Sequence, residues 1–149
     1  MKQLHNFSRF VEDGVARKSF PDSHRAGSVI EDARKRKEFI ELTEKAIGIS
    51  DDNANYFVES AYEVLVQLAR AKLLADGYLA SGEGAHEAEI SYLRTLRIPE
   101  SDVLFLDRLR YRRNGIRYYG ERFNRFYALQ VMSFMRKLYP RLVKLAARR

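Results

Sequence analysis

The sequence predicts an all-α protein. Three observations carry that expectation: apolar residues recur at helical spacing along most of the chain, the alternation typical of strands is nearly absent, and glycine and proline fall mostly between the helical stretches. Short connections between the helices suggest an up-and-down bundle of four to five helices. A chain of 149 residues encloses one hydrophobic core comfortably and would starve a second. One bundle is therefore expected over 23–149, preceded by an amphipathic extension over 1–22.

The extension carries Phe7, Phe10, Val11 and Val15 on one side and ends at Phe20-Pro21-Asp22-Ser23, which breaks the pattern and offers capping residues for the next helix. That helix is expected from about His24 to Ile47. Its apolar stripe, Val29, Ala33, Ile40 and Ile47, is broken, Glu31 to Lys35 and Glu41 to Lys45 support it as charge pairs, and Gly48 stops it. Asp51 and Asp52 open a second long helix in which Phe57, Ala61, Leu65, Leu68, Ala71 and Tyr78 recur at helical spacing. This is the segment with the strongest claim to burial. The glycine-rich run 77–84 then reads as a flexible loop, and 85–96 as a short third helix.

Pro99 suits the first turn of a fourth helix, with Glu100 and Asp102 at the positive end of its dipole. Val103, Leu106, Leu109 and Ile116 give it a core face. Gly115 stands inside it at a cost of roughly 1 kcal/mol relative to alanine, which marks a close contact or a bend. The last helix, from about Glu121, aligns Phe123, Tyr127, Val131, Phe134, Leu138, Leu142 and Leu145, and Pro140 is expected to kink or interrupt it.

Composition narrows the chemistry. Without cysteine there are no disulfides, thiol nucleophiles or thiolate metal sites, and three scattered histidines, His5, His24 and His86, do not suggest a metal centre. No cofactor is expected. No apolar run approaches the roughly 20 residues of a spanning helix, and Met1 to Asn6 lacks the apolar core of a signal peptide, so a cytoplasmic protein away from membranes is expected. The net charge of +7 is unevenly placed: from Asp107 to Arg149 there are thirteen Arg or Lys against two acids, and the remainder of the chain is net −4. Such segregation suits a polyanion or an acidic partner, although solvated helix faces would read the same way.

Between Ala54 and Gly120 three stretches resemble the HEPN family, and in particular its archaeal stand-alone members. They are Glu59 to Tyr78, with its Leu73-Leu74-Ala75-Asp76-Gly77-Tyr78 end; His86-Glu87-Ala88-Glu89-Ile90-Ser91-Tyr92-Leu93; and Phe105 to Gly120, which contains Arg112-Arg113-Asn114-Gly115-Ile116-Arg117-Tyr118-Tyr119. The resemblance implies a four- or five-helix bundle that pairs into a homodimer. Ribonuclease members of the family use an Arg, a polar residue and, a few positions later, a His; Arg113-Asn114 matches the first two. Tyr118 stands where the histidine would fall, four residues further on, and no histidine follows His86. A tyrosine with a pKa near 10 is a poor base at neutral pH, so the resemblance implies the fold and a binding face and leaves nuclease activity without its base.

The candidate binding residues are Arg110, Arg112, Arg113, Asn114, Arg117, Tyr118 and Tyr119, and the candidates for chemistry are Arg113, Asn114, Tyr118 and His86. Arg113 lies one turn from Leu109 and Ile116, beside an otherwise apolar stripe, where a guanidinium demands a partner. That partner is either a bound phosphate or an internal carboxylate such as Glu59 or Glu63. Asn114 either positions Arg113 or is exposed. Tyr118 and Tyr119 either stack unpaired bases among arginines or pack against a neighbouring helix. His86 is the one histidine placed to approach this face, and its alternative is a surface or capping residue. Three functions are compatible with this pattern: RNA or nucleotide binding through a basic face without cleavage; pairing with a separate minimal nucleotidyltransferase, as in toxin and antitoxin systems; and metal-independent RNA cleavage that enlists His86.

Overall fold

In the computed structural model, which describes residues 1–148 apart from the side chain of Arg117, the chain forms six α-helices and one small sheet. The elements are α1 Phe7–Glu12, β1 Ala16–Lys18, α2 Ser23–Ile47, α3 Ala54–Asp76, β2 Tyr78–Ala80, α4 Ala85–Thr95, α5 Glu100–Tyr119 and α6 Arg125–Ala146. The all-α expectation holds, with two additions.

The first addition is the sheet. Where the glycine-rich run reads as a loop, β2 pairs antiparallel with β1, Ala16 opposite Ala80 and Lys18 opposite Tyr78. Three residues on each side are too few to show an alternating pattern, and the partners are some sixty positions apart. The second is α1, which buries Phe7 and Phe10. Together with Leu4 and Ala16 these residues enter the same core as the long helices, so residues 1–22 are packed into the bundle.

α3 is the axis of the molecule. Sixteen of its residues are buried, and α2 and α6 pack along it while α4 and α5 also touch it. α2 buries only Ala26, Ala33 and Ile40, seven positions apart; alanines there let the two helices approach closely. Ile47, expected to continue this stripe, is 69% exposed. Polar contacts make up for the thin seam: Gln67 donates to Asp32 at 2.5 Å, and Arg136 of α6 reaches Glu41 and Glu44.

The start of α2 and the ends of α2 and α3 follow the sequence, whereas α3 starts at Ala54, past Asp51 and Asp52, and α6 starts at Arg125, four residues beyond Glu121. Asp22 caps α2 by accepting from the Arg25 N–H at 3.0 Å, Gly48 closes it, and Asn124 caps α6 through the Tyr127 N–H at 2.9 Å. Gly77 ends α3 in the left-handed conformation, φ 86°, and a Cβ there would stand 2.8 Å from the Ser19 carbonyl oxygen. Only glycine lets the segment before α2 cross the end of α3 so closely.

Side-chain pairs fix the helix directions. His86 meets Tyr62, Glu89 meets Arg70 and Tyr92 meets Asp76, so α4 runs in the same sense as α3. α6 does too, since Asn55 bonds near its start and Lys72 near its end. The return from α3 to α4 is made by β2, not by a tight turn between antiparallel helices, and strict up-and-down order fails there. Of the kink or interruption expected at Pro140, the interruption is absent: α6 continues through it, with Leu138 and Leu142 buried in the core on either side. No described helix is long and apolar enough to cross a membrane.

Candidate functional site

α3 presents Tyr56, Glu59, Ser60 and Glu63 on one face, because these positions fall at i, i+3, i+4 and i+7. Opposite them, α5 supplies Arg113, α4 supplies His86 and α2 supplies Arg36. These seven residues line a cleft of about 490 Å³. A second cleft, of about 360 Å³, adjoins it across His86 and is lined by Arg110, Asn114 and Tyr118, one stripe of α5, with Glu83 and Glu87 facing them. The structure therefore brings His86, Arg113, Asn114, Arg110 and Tyr118 together at one junction of α3, α4 and α5.

Arg113 is largely enclosed, with 13% of its side chain exposed. Its guanidinium carbon lies 5.3 Å from the centroid of the Tyr62 ring, and Nη2 is 3.8 Å from a carboxylate oxygen of Glu63. At that distance the pair is a Coulombic contact and falls outside hydrogen-bonding range. Its Nε is buried and has no hydrogen-bond partner among the described residues. The internal carboxylate foreseen as one alternative for this residue is thus present, but it leaves the guanidinium's donors only partly satisfied.

His86 is tied to the same cluster. Nδ1 lies 2.9 Å from the Tyr62 hydroxyl, and the two rings are 5.9 Å apart. Burial holds the imidazole below its ordinary pKa, and Arg70, Arg113 and Arg110 push in the same direction against Glu63. Burial likewise raises the Tyr62 phenol above its usual value. Behind them, Glu89 is 1% exposed and meets Arg70 Nε at 2.6 Å; burial pushes its carboxyl up to about 7 in spite of that partner. Tyr62 and Glu89 are thus buried behind the two clefts that His86 lines.

No family model, no curated protein and no solved structure matches this chain.

The arginines of α5 do not form a single face. Arg110 is held by Asp107 at 2.9 Å and approaches Glu87 at 3.6 Å. Arg112 turns the other way, its guanidinium carbon 4.1 Å from the Tyr127 ring and 4.8 Å from the Phe123 ring. The side chain of Arg117 lies outside the described part. Tyr118 is 74% exposed at the mouth of the second cleft, and Tyr119, also exposed, lines neither cleft. The residues that the sequence does not single out are Arg36, Tyr56 and Ser60 in the first cleft, and Tyr62 and Arg70 behind it. Arg70 gives the one signal available: a charge inside the most apolar stretch of α3 has to find a buried partner.

Proposed function

We propose that this is a HEPN-like bundle that binds RNA or a nucleotide in the cleft between α3, α4 and α5, with Arg113 as its phosphate contact. The observation that carries the reading is the partly satisfied guanidinium: its sealed Nε has no partner among the described residues, its Nη2 meets Glu63 only at 3.8 Å, and the side chain lines a cleft wide enough for a nucleotide. A phosphate accepts two parallel N–H bonds from such a fork, and charge-assisted bonds are the strong ones. Exposed Tyr56 at the first cleft and Tyr118 at the second offer stacking surfaces for a base. Glu59 and Glu63 offset Arg36 and Arg113, which favours contact with one or two phosphates of an unpaired segment over a long polyanionic track.

The test is binding of a short single-stranded RNA and of a nucleoside monophosphate by the wild type, Arg113→Lys and Arg113→Ala. Losing charge-assisted bonds of about 1.5–3 kcal/mol corresponds to a loss in affinity of roughly ten- to hundredfold for the alanine variant. Lysine should restore part of it. Equal binding by wild type and Arg113→Ala, or none by the wild type at low salt, removes the reading.

One further observation favours a catalytic variant of it. His86 and Arg113 line the same cleft, and a neutral imidazole is the form that accepts a proton. In that variant His86 takes the 2′-hydroxyl proton as the oxygen attacks phosphorus, Arg113 steadies the charge on the phosphoryl oxygens, and the departing 5′-oxygen is protonated from water. Cleavage in the presence of a chelator that is abolished by His86→Ala and by Arg113→Ala would support it. Cleavage unaffected by either substitution belongs to a contaminant.

A further inference from the structure

The last 25 residues of the chain hold seven Arg or Lys and no acid. Two of the seven are spent within the fold, Arg125 on Asp51 and the Ile49 carbonyl, and Arg136 on Glu41 and Glu44. Four of the others, Lys137, Arg141, Lys144 and Arg148, follow one another at i, i+4, i+7 and i+11, and all are exposed. They form one stripe along the solvent side of α6 and just past its end, about 16 Å long at the helical rise of 1.5 Å per residue.

The loop between α4 and α5 adds a fifth cation. Arg97 holds the left-handed conformation, φ 62°, and Arg141 donates to its carbonyl oxygen at 2.7 Å, which keeps the Arg97 backbone against the stripe. Only Lys137 has a carboxylate partner, the buried Asp102 at 3.0 Å. Arg97, Arg141, Lys144 and Arg148 form no ion pair among the described residues. Arg141, Lys144 and Arg148, exposed three or four positions apart, repel one another, and that repulsion is relieved by a polyanion.

We infer that this stripe is a track for the sugar-phosphate backbone of a nucleic acid, separate from the Arg113 cleft and independent of whether that cleft binds a nucleotide. Asp102, which marks the stripe's position on α5, precedes Arg113 by eleven residues, about 16 Å along the helix. The neighbourhood argues against other occupants. A helix that docks on a membrane surface exposes an apolar face, whereas the apolar side of α6, with Val131, Met135, Leu138 and Leu142, is buried in the core. The one exposed aromatic residue of α6, Phe126, is eleven positions from Lys137. Protein interfaces centre on aromatic or arginine anchors in desolvated pockets, and the cations of this stripe line neither of the clefts described above.

The test uses the full chain and a 30-nucleotide single-stranded polyuridine RNA, with affinity measured between 50 and 300 mM salt. Each neutralised phosphate contributes about 0.7 to the slope of log affinity against log salt for a single strand. Arg141→Gln, Lys144→Gln and Arg148→Gln combined should therefore flatten the slope by about 2 and weaken binding at low salt at least tenfold. Lys144→Gln alone, at an exposed position without a partner, should flatten it by about 0.7 and guards against misfolding of the triple variant. Arg113→Ala reports separately on the cleft: loss of mononucleotide binding there with an intact salt slope leaves the track standing. Unchanged slope and affinity in the triple variant would overturn the inference. So would loss of binding to phosphatidylserine vesicles with RNA binding unaffected, since that outcome assigns the stripe to a membrane.

Discussion

Nδ1 of His86 and the hydroxyl oxygen of Tyr62 lie 2.9 Å apart, and burial sets the protonation of both. The phenol is driven up and keeps its proton; the imidazole is driven down and is neutral near pH 7. His86 should accordingly titrate below the ordinary value of about 6.5 when its ring resonances are followed by NMR. Tyr62→Phe removes one buried hydrogen bond and should cost about 1 kcal/mol in chemical denaturation. A His86 that titrates at or above the free value would show that the cluster is open to solvent and would remove the neutral base from the cleft.

Glu89 gives the junction a dependence on pH. Its carboxyl is raised from 4.5 to about 7, so the folded state holds this proton more tightly than the unfolded chain. Its contribution to stability is present at low pH and is lost as pH rises through 7. His86 acts in the opposite sense: its lowered value means that stability is lost as pH falls below about 6.5. In Glu89→Gln only the histidine's contribution remains. The stability of the wild type relative to this variant should therefore grow as pH falls from 8 to 4.5, by on the order of 3 kcal/mol. Urea unfolding at four pH values checks it, and parallel curves for the two proteins would mean that Glu89 is ionised throughout.

What is legible in the sequence is what depends on near neighbours. Asp22, Gly48, Gly77 and Pro99 announce helix ends because capping and left-handed turns are decided within a few residues, and the structure ends its helices there. The burial of α3 is legible from its apolar spacing. The junction is legible only in part. Glu63 is foreseen as one of two carboxylates within reach of Arg113, but the pairing of Arg70 with Glu89 depends on α4 running in the same sense as α3, which no local signal sets. Arg112 belongs to the expected basic face by position along the chain, yet helical geometry turns it onto Phe123 and Tyr127. The β1–β2 pairing joins segments some sixty residues apart and has no local signature.

Gly115 marks a close approach. It lies within α5, is buried, and its carbonyl accepts from the Glu121 N–H at 3.3 Å; a Cβ there would overlap the Glu121 carboxylate. That carboxylate is the far end of an exposed side chain and has solvent to move into. Gly115→Ala should therefore keep most of the roughly 1 kcal/mol by which alanine favours a helix, and raise the melting temperature by about 2–4 °C. A fall in melting temperature would show that the Glu121 carboxylate is fixed over α5.

Arg94 ties the N-terminal segment to the bundle. One of its nitrogens donates to the carbonyls of Leu4 at 2.9 Å and His5 at 3.2 Å, Ser91 donates to the His5 carbonyl at 2.6 Å, and Glu100 holds the other side of the guanidinium at 2.7 Å. Beneath this clamp Phe7 packs edge-on against Tyr78 and Tyr92. Burying Leu4, Phe7 and Phe10 contributes roughly 1.5–3 kcal/mol each, a large share of the 5–15 kcal/mol typical of a domain. A chain lacking residues 1–22 should therefore unfold at ordinary temperatures or melt far below the full chain. Arg94→Ala separates the clamp from the core beneath it: amide exchange should quicken at Arg9 and Phe10 while α3 keeps its protection. Uniform protection in both segments would mean that the aromatic packing alone holds α1 in place.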